Sequence, residues 1–315
     1  MTRAFITGIG GQDGSYLAEQ LVAEGVEVHA LAHAIEPLPD APGVELHSGD
    51  LTDVDDVRSL LIDLAPDEVY NLAAMSSVAR SWEKPDLTAQ VNGMAAAALL
   101  ESALLVQEKL DRPVRFVQAS SAEIFGQPDR SPQDESTPVR PLNPYGAAKA
   151  YAHLMVEVYR RRGLHAVSAI LYNHESPRRP EQFVTRKITS TVASIARGRA
   201  DVLTLGNLDA RRDWGWAPDY VDAMVRAARA DQATDYVVAT GVAHSVRDFV
   251  AAAFAQAGIT DWEDLVVVDQ EFVRPADPTE LVGNATRARR LLGWSPTVGF
   301  DEVVQHMVEA DLAAG

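Results

Sequence analysis

Short apolar runs alternate with amphipathic stretches through the first half of the chain. Ala4-Phe5-Ile6 precedes a helical pattern over 16–24, 26–31 reads as a strand, 54–64 as a helix and 68–70 as a strand again. That rhythm predicts βαβ units and a parallel sheet. Further strands are expected at 114–117 and 166–171, separated by a long helix that begins near Pro144 and ends near Gly163. The fold class that follows is α/β, a Rossmann-type doubly wound parallel sheet. After Asn173 the texture changes to a Pro/Arg-rich loop, a helix over 184–199 and shorter mixed elements through Asp277, which reads as a smaller C-terminal α/β lobe. Helical 219–229 and strand-like 236–238 bring the chain back to the sheet. The expected division is 1–171 for the sheet domain, with a return around 208–241, and 172–207 plus 242–315 for the lobe.

Composition narrows what such a fold can do. Nearly half of the 315 residues are apolar, enough for a substantial core, and the formal net charge of −17 argues against nucleic acid as a partner. The chain has no cysteine, which removes disulfides, thiolate metal sites and cysteine nucleophiles and fits a reducing compartment. Cytoplasm is therefore the expected location, and no metal is expected. The N-terminal residues carry no apolar segment of the secretory kind. The apolar stretch 94–105 is short for a membrane span and is interrupted by Glu101.

Gly8, Gly11 and Gly14 form G-x-x-G-x-x-G between a strand and a helix, where backbone N–H groups can meet a pyrophosphate. Gln12 and Asp13 lie inside this turn and are counted with the dinucleotide site. Asp50, followed by Leu51, sits where a third strand should end and could accept a hydrogen bond from an adenine amino group; capping a helix, as Thr52 or Asp53 also could, is the alternative. Leu72, Ala73 and Ala74 follow the next strand and are small enough at 73 and 74 to let a cofactor lie close. The end of the second strand offers His33, suited to a phosphate, and Glu36, suited to a ribose hydroxyl, so neither NADP nor NAD is singled out there.

Tyr145 and Lys149, four apart at the start of a predicted helix, share one face. Free tyrosine ionises near about 10, so a tyrosine base working near neutrality needs the positive charge of the lysine and of a cofactor. Ser121 and Glu123 follow an apolar strand and lie at the carboxyl edge of the sheet, where ligands bind. Ser121 is placed to hydrogen-bond the reacting hydroxyl beside Tyr145, and Glu123 to move a proton at a neighbouring carbon.

Together these segments resemble the GDP-mannose 4,6-dehydratases, within the extended short-chain dehydrogenase/reductase superfamily. The likeness covers nearly the whole chain and is carried by Gly11-Gln12-Asp13-Gly14-Ser15-Tyr16-Leu17, by 67–74, by 118–126, by 143–149, by Asn173-His174-Glu175-Ser176-Pro177-Arg178-Arg179, by 183–189 and by 205–221. It implies a redox-neutral dehydration of a nucleotide sugar, with NADP as the cofactor by resemblance and NAD as the alternative, bound tightly and recycled. It also implies that Lys187 and Arg212 meet the substrate phosphates, that Asn173 and Val184 line the nucleotide-sugar cleft, and that Arg274 and Asp277 contact the nucleoside.

Several positions depart from the family. Ser121 stands where threonine is common, Ala122 replaces a small polar residue, and Met75, Ser77 and Gln182 alter the surroundings of the sugar. The arginine pair and long loop that the family carries after the second strand are missing, which bears on NADP and on tetramer formation. A 4-epimerase or 4-ketosugar reductase shares Ser/Tyr/Lys but needs no glutamate at 123, and a non-catalytic nucleotide-binding regulator needs none of the four. Superfamily habit implies a homodimer or higher homo-oligomer formed through 89–105 and 145–160.

Overall fold

The computed structural model describes residues 2–33, 40–269 and 280–314. Chain order begins β1 (Arg3–Thr7), α1 (Gln12–Ala23), β2 (Glu27–His33), β3 (Val44–Gly49), α2 (Val54–Leu64), β4 (Glu68–Asn71), α3 (Val78–Glu83), α4 (Pro85–Ala89) and α5 (Ala95–Leu110). It continues through β5 (Arg115–Ser121), α6 (Pro144–Arg161), β6 (His165–Leu171), β7 (Asn173–Glu175), α7 (Val184–Ala196), β8 (Leu203–Leu205), β9 (Arg211–Trp216) and α8 (Ala217–Arg229). The last elements are β10 (Asp235–Val238), β11 (Ala243–Ser245), α9 (Val246–Gln256), β12 (Val266–Val268), β13 (Glu280–Leu281), α10 (Thr286–Leu292) and α11 (Phe300–Ala313).

Seven parallel strands form the main sheet in the order β10-β6-β5-β4-β1-β2-β3. Its inner strands are apolar on both faces because both are covered by helices. On one face Leu17 and Leu21 of α1 and Met224 and Ala228 of α8 pack against Ile6 and Val117; on the other, Leu61 of α2, Leu99 and Leu104 of α5 and Val156 of α6 pack against Phe5, Val69 and Phe116. This is the doubly wound arrangement that the alternating pattern predicts.

A third core joins Ile188 and Val192 of α7, Phe249 and Phe254 of α9, Val304 and Met307 of α11 and Trp214 of β9. Over it lie two small sheets, one of β11-β9-β13 with β7 alongside β9, the other of β12 and β8. Leu208 and Ala210 pack in this third core, whereas 217–239 supplies α8 and β10 to the first, which also takes Leu281, Ala285, Ala288 and Trp294. We propose that the lobes divide along these cores.

Pro85–Leu110 runs as one helix through a π-helical turn at Gln90–Met94. Among the described residues it is the helix that by length and composition could cross a membrane, a longer stretch than the interrupted run read from the sequence. Leu99, Leu100, Ala103 and Leu104 are nevertheless buried against the sheet. The π turn directs Asn92 at the chain after Ala74: its Oδ1 accepts from Met75 N at 2.8 Å, and its Nδ2 donates to the Met75 carbonyl at 3.1 Å.

Candidate active site

The glycine turn lies at the point where strand order reverses, because β1 stands between β2 and β4. Ligands of doubly wound sheets bind in that crevice. Gly8 has φ 80°, and a Cβ on it would stand 2.7 Å from the Ala73 nitrogen, so glycine serves both the left-handed turn and the close approach of the β4 end. A Cβ on Gly14 would stand 2.2 Å from the Gly8 carbonyl oxygen, which makes this glycine a requirement of helix-on-strand packing. Gly11 caps α1 and offers no side-chain acceptor to its first N–H groups. An added Cβ on Gly10 would meet nothing within 4 Å. A turn open on its outer side, uncapped N–H groups and the neighbouring Ala73 and Ala74 fit the pyrophosphate of a dinucleotide.

Buried polar groups hold the adjoining strand ends in register. Thr7 donates to Asn71 Oδ1 at 2.6 Å and accepts from Ala73 N at 3.2 Å, while Asn71 Nδ2 donates to Gln118 Oε1 at 2.8 Å. This ladder sets the path of Leu72 and Ala73 beside Gly8. At the other side of the crevice Asp50 accepts from the Thr52 N–H and hydroxyl at 2.8 and 2.7 Å, hydrogen bonds that hold its carboxyl below the usual range. The cap of α2 is Asp53, so the helix-capping alternative for Asp50 falls away, while Leu51 packs its side chain in the core. His33 ends β2 exposed to solvent. Glu36 lies outside the described residues.

The four catalytic candidates meet where β5 ends and α6 begins. Ser121, the last residue of β5, hydrogen-bonds the Tyr145 hydroxyl and accepts from Glu123 N at 3.2 Å, opening a single 3-10 turn over Ala122–Phe125. Asn143 ties this turn to the helix: its Oδ1 accepts from Gly146 N at 2.7 Å as the N-cap, and its Nδ2 donates to Glu123 Oε2 at 2.8 Å. Pro144 at the first helical position suits this start. A Cβ on Gly146 would stand 2.6 Å from the Glu123 carbonyl oxygen, so only glycine lets helix and turn come this close.

Lys149 shares the helix face of Tyr145 as the spacing predicts, with Nζ 5.9 Å from the ring centroid, and it donates to the Ala119 carbonyl at 2.9 Å. Burial pushes the Lys149 ammonium down to about 8, against the pull of Asp13. Burial pushes the Tyr145 phenol up to about 12; the Ser121 hydrogen bond works against this and the Glu123 carboxylate adds to it. The protein alone therefore keeps Tyr145 protonated, and a base at this position needs one more nearby positive charge.

Gln12 and Asp13 turn their side chains to β7. Gln12 Nε2 donates to the His174 carbonyl at 3.1 Å and its Oε1 accepts from the Ser176 hydroxyl at 2.8 Å. Asp13 pairs with His174 Nε2 at 2.9 Å, and His174 Nδ1 faces the Tyr172 carbonyl at 2.7 Å while its ring stacks on Tyr220. Burial opposes charge on His174, but Asp13 and the Tyr172 carbonyl outweigh it and the imidazole is raised above its ordinary 6.5. Burial likewise opposes charge on Asp13, yet His174, Gln12 and Arg179 hold its carboxyl below 3.8. Farther out, Arg178 donates to the Ser15 hydroxyl, pairs with Glu19 and lies over the Tyr16 ring. Two of the segments that carry the family resemblance, 11–17 and 173–179, thus form one clasp.

The remaining candidates sit on the lobe side. Asn173 opens β7 and pairs in register with Trp214 of β9, two residues from Arg212. Arg212 is mostly buried, with one guanidinium nitrogen on the Arg211 carbonyl. Val184 and Lys187 occupy the first turn of α7, which Thr185 ties to β7 through Glu175 Oε2 at 2.6 Å. Arg274 and Asp277 lie outside the described residues. Sequence reasoning passed over Asn143 and His174. The Asn-Pro pair of a helix start was a usable signal for Asn143, whereas nothing near His174 in the sequence shows that its partner is 161 residues away.

The family model described as GDP-mannose 4,6 dehydratase matches residues 5–307. The chain is 45% identical over 324 residues to GDP-mannose 4,6 dehydratase 2 of Arabidopsis thaliana, covering 98% of this chain and 86% of that protein. It is 43% identical over 340 residues to the GDP-mannose 4,6 dehydratase of Homo sapiens, covering 98% and 91%. Among solved structures it superposes on the UDP-glucose 4-epimerase of Thermus thermophilus in complex with NAD at a TM-score of 0.88, with 28% identity and all of both chains covered.

Proposed function

Because the chain belongs to the GDP-mannose 4,6-dehydratase family, we propose that Tyr145 and Glu123 divide the proton transfers that turn GDP-mannose into GDP-4-keto-6-deoxymannose. The protein is a nucleotide-sugar 4,6-dehydratase, a hydro-lyase that works with a nicotinamide dinucleotide. We assign NADP from the family. The observation that carries the proposal is the Glu123 carboxylate, held by the Asn143 amide on the turn that follows Ser121. An epimerase or a ketosugar reductase has no use for a second proton-transfer group at this place.

When bound, the nicotinamide supplies reversible hydride transfer and, in its oxidised form, a positive charge. Tyr145 takes the proton of the sugar C4 hydroxyl, with Ser121 hydrogen-bonded to both oxygens and Lys149 holding positive charge below the tyrosine ring. Oxidation at C4 makes the C5 hydrogen acidic. Glu123 removes that proton and assists departure of the C6 hydroxyl as water, which leaves a C5–C6 double bond. Return of the hydride to C6 and of a proton from Glu123 to C5 then gives a ketone at C4 and a methyl group at C6, with no net change in the cofactor. Gly8, Gly11, Gly14, Ala73, Ala74 and Asp50, with the backbone at Gln12, Asp13, Leu51 and Leu72, bind the dinucleotide, and His33 is assigned to its adenosine side. Asn173, Val184, Lys187 and Arg212 bind the nucleotide sugar, with Arg274 and Asp277 assigned by family position. The same proposal includes a homodimer and a cytoplasmic place of action, the latter supported by the absence of cysteine from the chain.

Purified protein incubated with GDP-mannose and a panel of other nucleotide hexoses tests this by product mass. Loss of one water from GDP-mannose, without net consumption of NADPH, is expected. An unchanged mass with an inverted C4 points to epimerisation, and a gain of two hydrogens with NADPH consumed points to reduction; either result overturns the proposal.

A further inference from the structure

Three metal-ligating side chains meet at the edge of the main sheet, away from the glycine turn and from Tyr145. His29 and Glu45 are register partners on β2 and β3, and His47 lies two residues beyond Glu45, so all three project from the same face. His29 Nδ1 stands 3.0 Å from His47 Nε2 and 3.7 Å from Glu45 Oε2, and His47 Nε2 stands 3.9 Å from Glu45 Oε1. One ligand atom from each residue falls within 4.8 Å of the others. Donors at about 2.0–2.2 Å from a common ion lie about 3.3–3.6 Å apart in a tetrahedral site, so this triangle needs only small side-chain adjustments to close on a metal.

The surroundings of the buried histidine favour this reading over a plain pair of imidazoles. His29 Nε2 faces Glu27 Oε1 at 3.1 Å, and Glu27 is itself held by Arg3 at 2.9 Å. A carboxylate on the far nitrogen fixes the proton there and leaves the Nδ1 lone pair aimed at His47 and Glu45, the outer-shell arrangement typical of histidine ligands. His29 is buried, His47 half-buried and Glu45 exposed, giving a rigid inner ligand and an outer carboxylate that solvent ions can reach. Two imidazoles and one carboxylate suit a divalent ion of the zinc type, with one position left for water, rather than magnesium or calcium.

We propose that His29, His47 and Glu45 form a divalent transition-metal site that clips β3 to β2. β3 is the edge strand and its ladder to β2 is its sole strand pairing among the described residues. β2 ends in His33, and Asp50 directly follows the last residue of β3, Gly49, which pairs with His33, so an ion here steadies the spacing of the two side chains assigned to the adenosine side of the cofactor. Its role is structural, because no reacting atom lies at this edge.

Protein stripped with chelator and desalted is titrated with Zn²⁺ by calorimetry, and with Co²⁺ by visible absorption, in the wild type, His47→Gln, Glu45→Gln and the control His306→Gln. His306 is a half-buried histidine on α11 beside Glu302, its ring against Trp216 and far from the proposed site in the fold. Binding of one Zn²⁺ per chain is expected, together with Co²⁺ bands and a metal-dependent rise in Tm. Affinity should fall at least about tenfold in His47→Gln and in Glu45→Gln, the scale on which loss of one ligand or its support is felt, and stay unchanged in His306→Gln. Failure of the wild type to bind either ion overturns the proposal, as does binding that survives intact in His47→Gln and Glu45→Gln or that is lost equally in His306→Gln. Circular dichroism of the variants separates a lost site from a lost fold, and substitution of the two outer ligands leaves the buried His29 in place.

Discussion

Asn143 joins two tasks in one side chain, since its carbonyl oxygen caps α6 and its amide positions Glu123. Replacing it with serine separates them. A serine hydroxyl still caps the helix, so stability should change by no more than about 1 kcal/mol. The Glu123 carboxylate loses its amide donor, and kcat should fall by about tenfold or more with KM little changed, a part of the 10²- to 10⁴-fold that a positioned acid or base contributes. Steady-state kinetics beside thermal denaturation check this; unchanged kcat would show that Glu123 needs no such support. Tyr145, Lys149, Ser121 and Glu123 were legible in the sequence because each sits at a fixed distance from a strand end or along a helix turn. The role of Asn143 was not, because it depends on a carboxylate 20 residues earlier in the chain being folded back to meet it.

The start of α1 and the strand β7 are bound through Gln12, Asp13, His174 and Ser176, which joins the glycine turn to the lobe side of the site. The ion pair within this clasp has a defined pH window. Asp13 is depressed in the folded protein, so its contribution is present above 3.8 and is lost as pH falls through the lower folded value. His174 is raised, so its contribution is complete below 6.5 and is lost as pH rises through the higher folded value. The difference in Tm between wild type and His174→Gln should therefore be greatest between 3.8 and 6.5 and shrink at higher pH. A difference that is constant or grows with pH would assign the clasp to packing alone. Strands β1, β2, β4, β5, β6 and β10 of the main sheet and helices α1, α2, α6 and α8 around it were legible from periodicity. Of the lobe strands, β7, β8, β11, β12 and β13 have only two or three residues each, too short for an alternating pattern to show. Near β11 and β13, Asp213 of β9 collects the N–H groups of Thr240, Gly241 and Gly283, a convergence that local sequence does not reveal.

At the scale of the molecule, α6 carries Tyr151, Leu154 and Val158 at 46, 56 and 48% exposure on one face, with Met94 at 63% on the neighbouring helix. Positions three and four apart on a helix form a single stripe, and a stripe of this kind favours a two-fold partner with the same surface. The protein should be a dimer at micromolar concentration by light scattering, and Leu154→Glu combined with Tyr151→Glu should make it monomeric with its fold intact. A monomeric wild type would remove the dimer from the account. The location of this face was legible in the apolar excess of the two helices, but which residues stay outside the core was not, since periodicity alone does not say how many faces of a helix find cover.

The division of labour between Tyr145 and Glu123 is tested most directly by rapid mixing of Tyr145→Phe and Glu123→Gln with GDP-mannose, with the near-ultraviolet absorbance of reduced cofactor and the product mass followed together. In Glu123→Gln the absorbance should rise and then decay slowly, with loss of water retarded by about 10²- to 10⁴-fold. In Tyr145→Phe no absorbance should appear and the substrate should remain unchanged. Water loss at the wild-type rate in Glu123→Gln, or a rise of absorbance in Tyr145→Phe, would contradict the assignment of the two proton transfers.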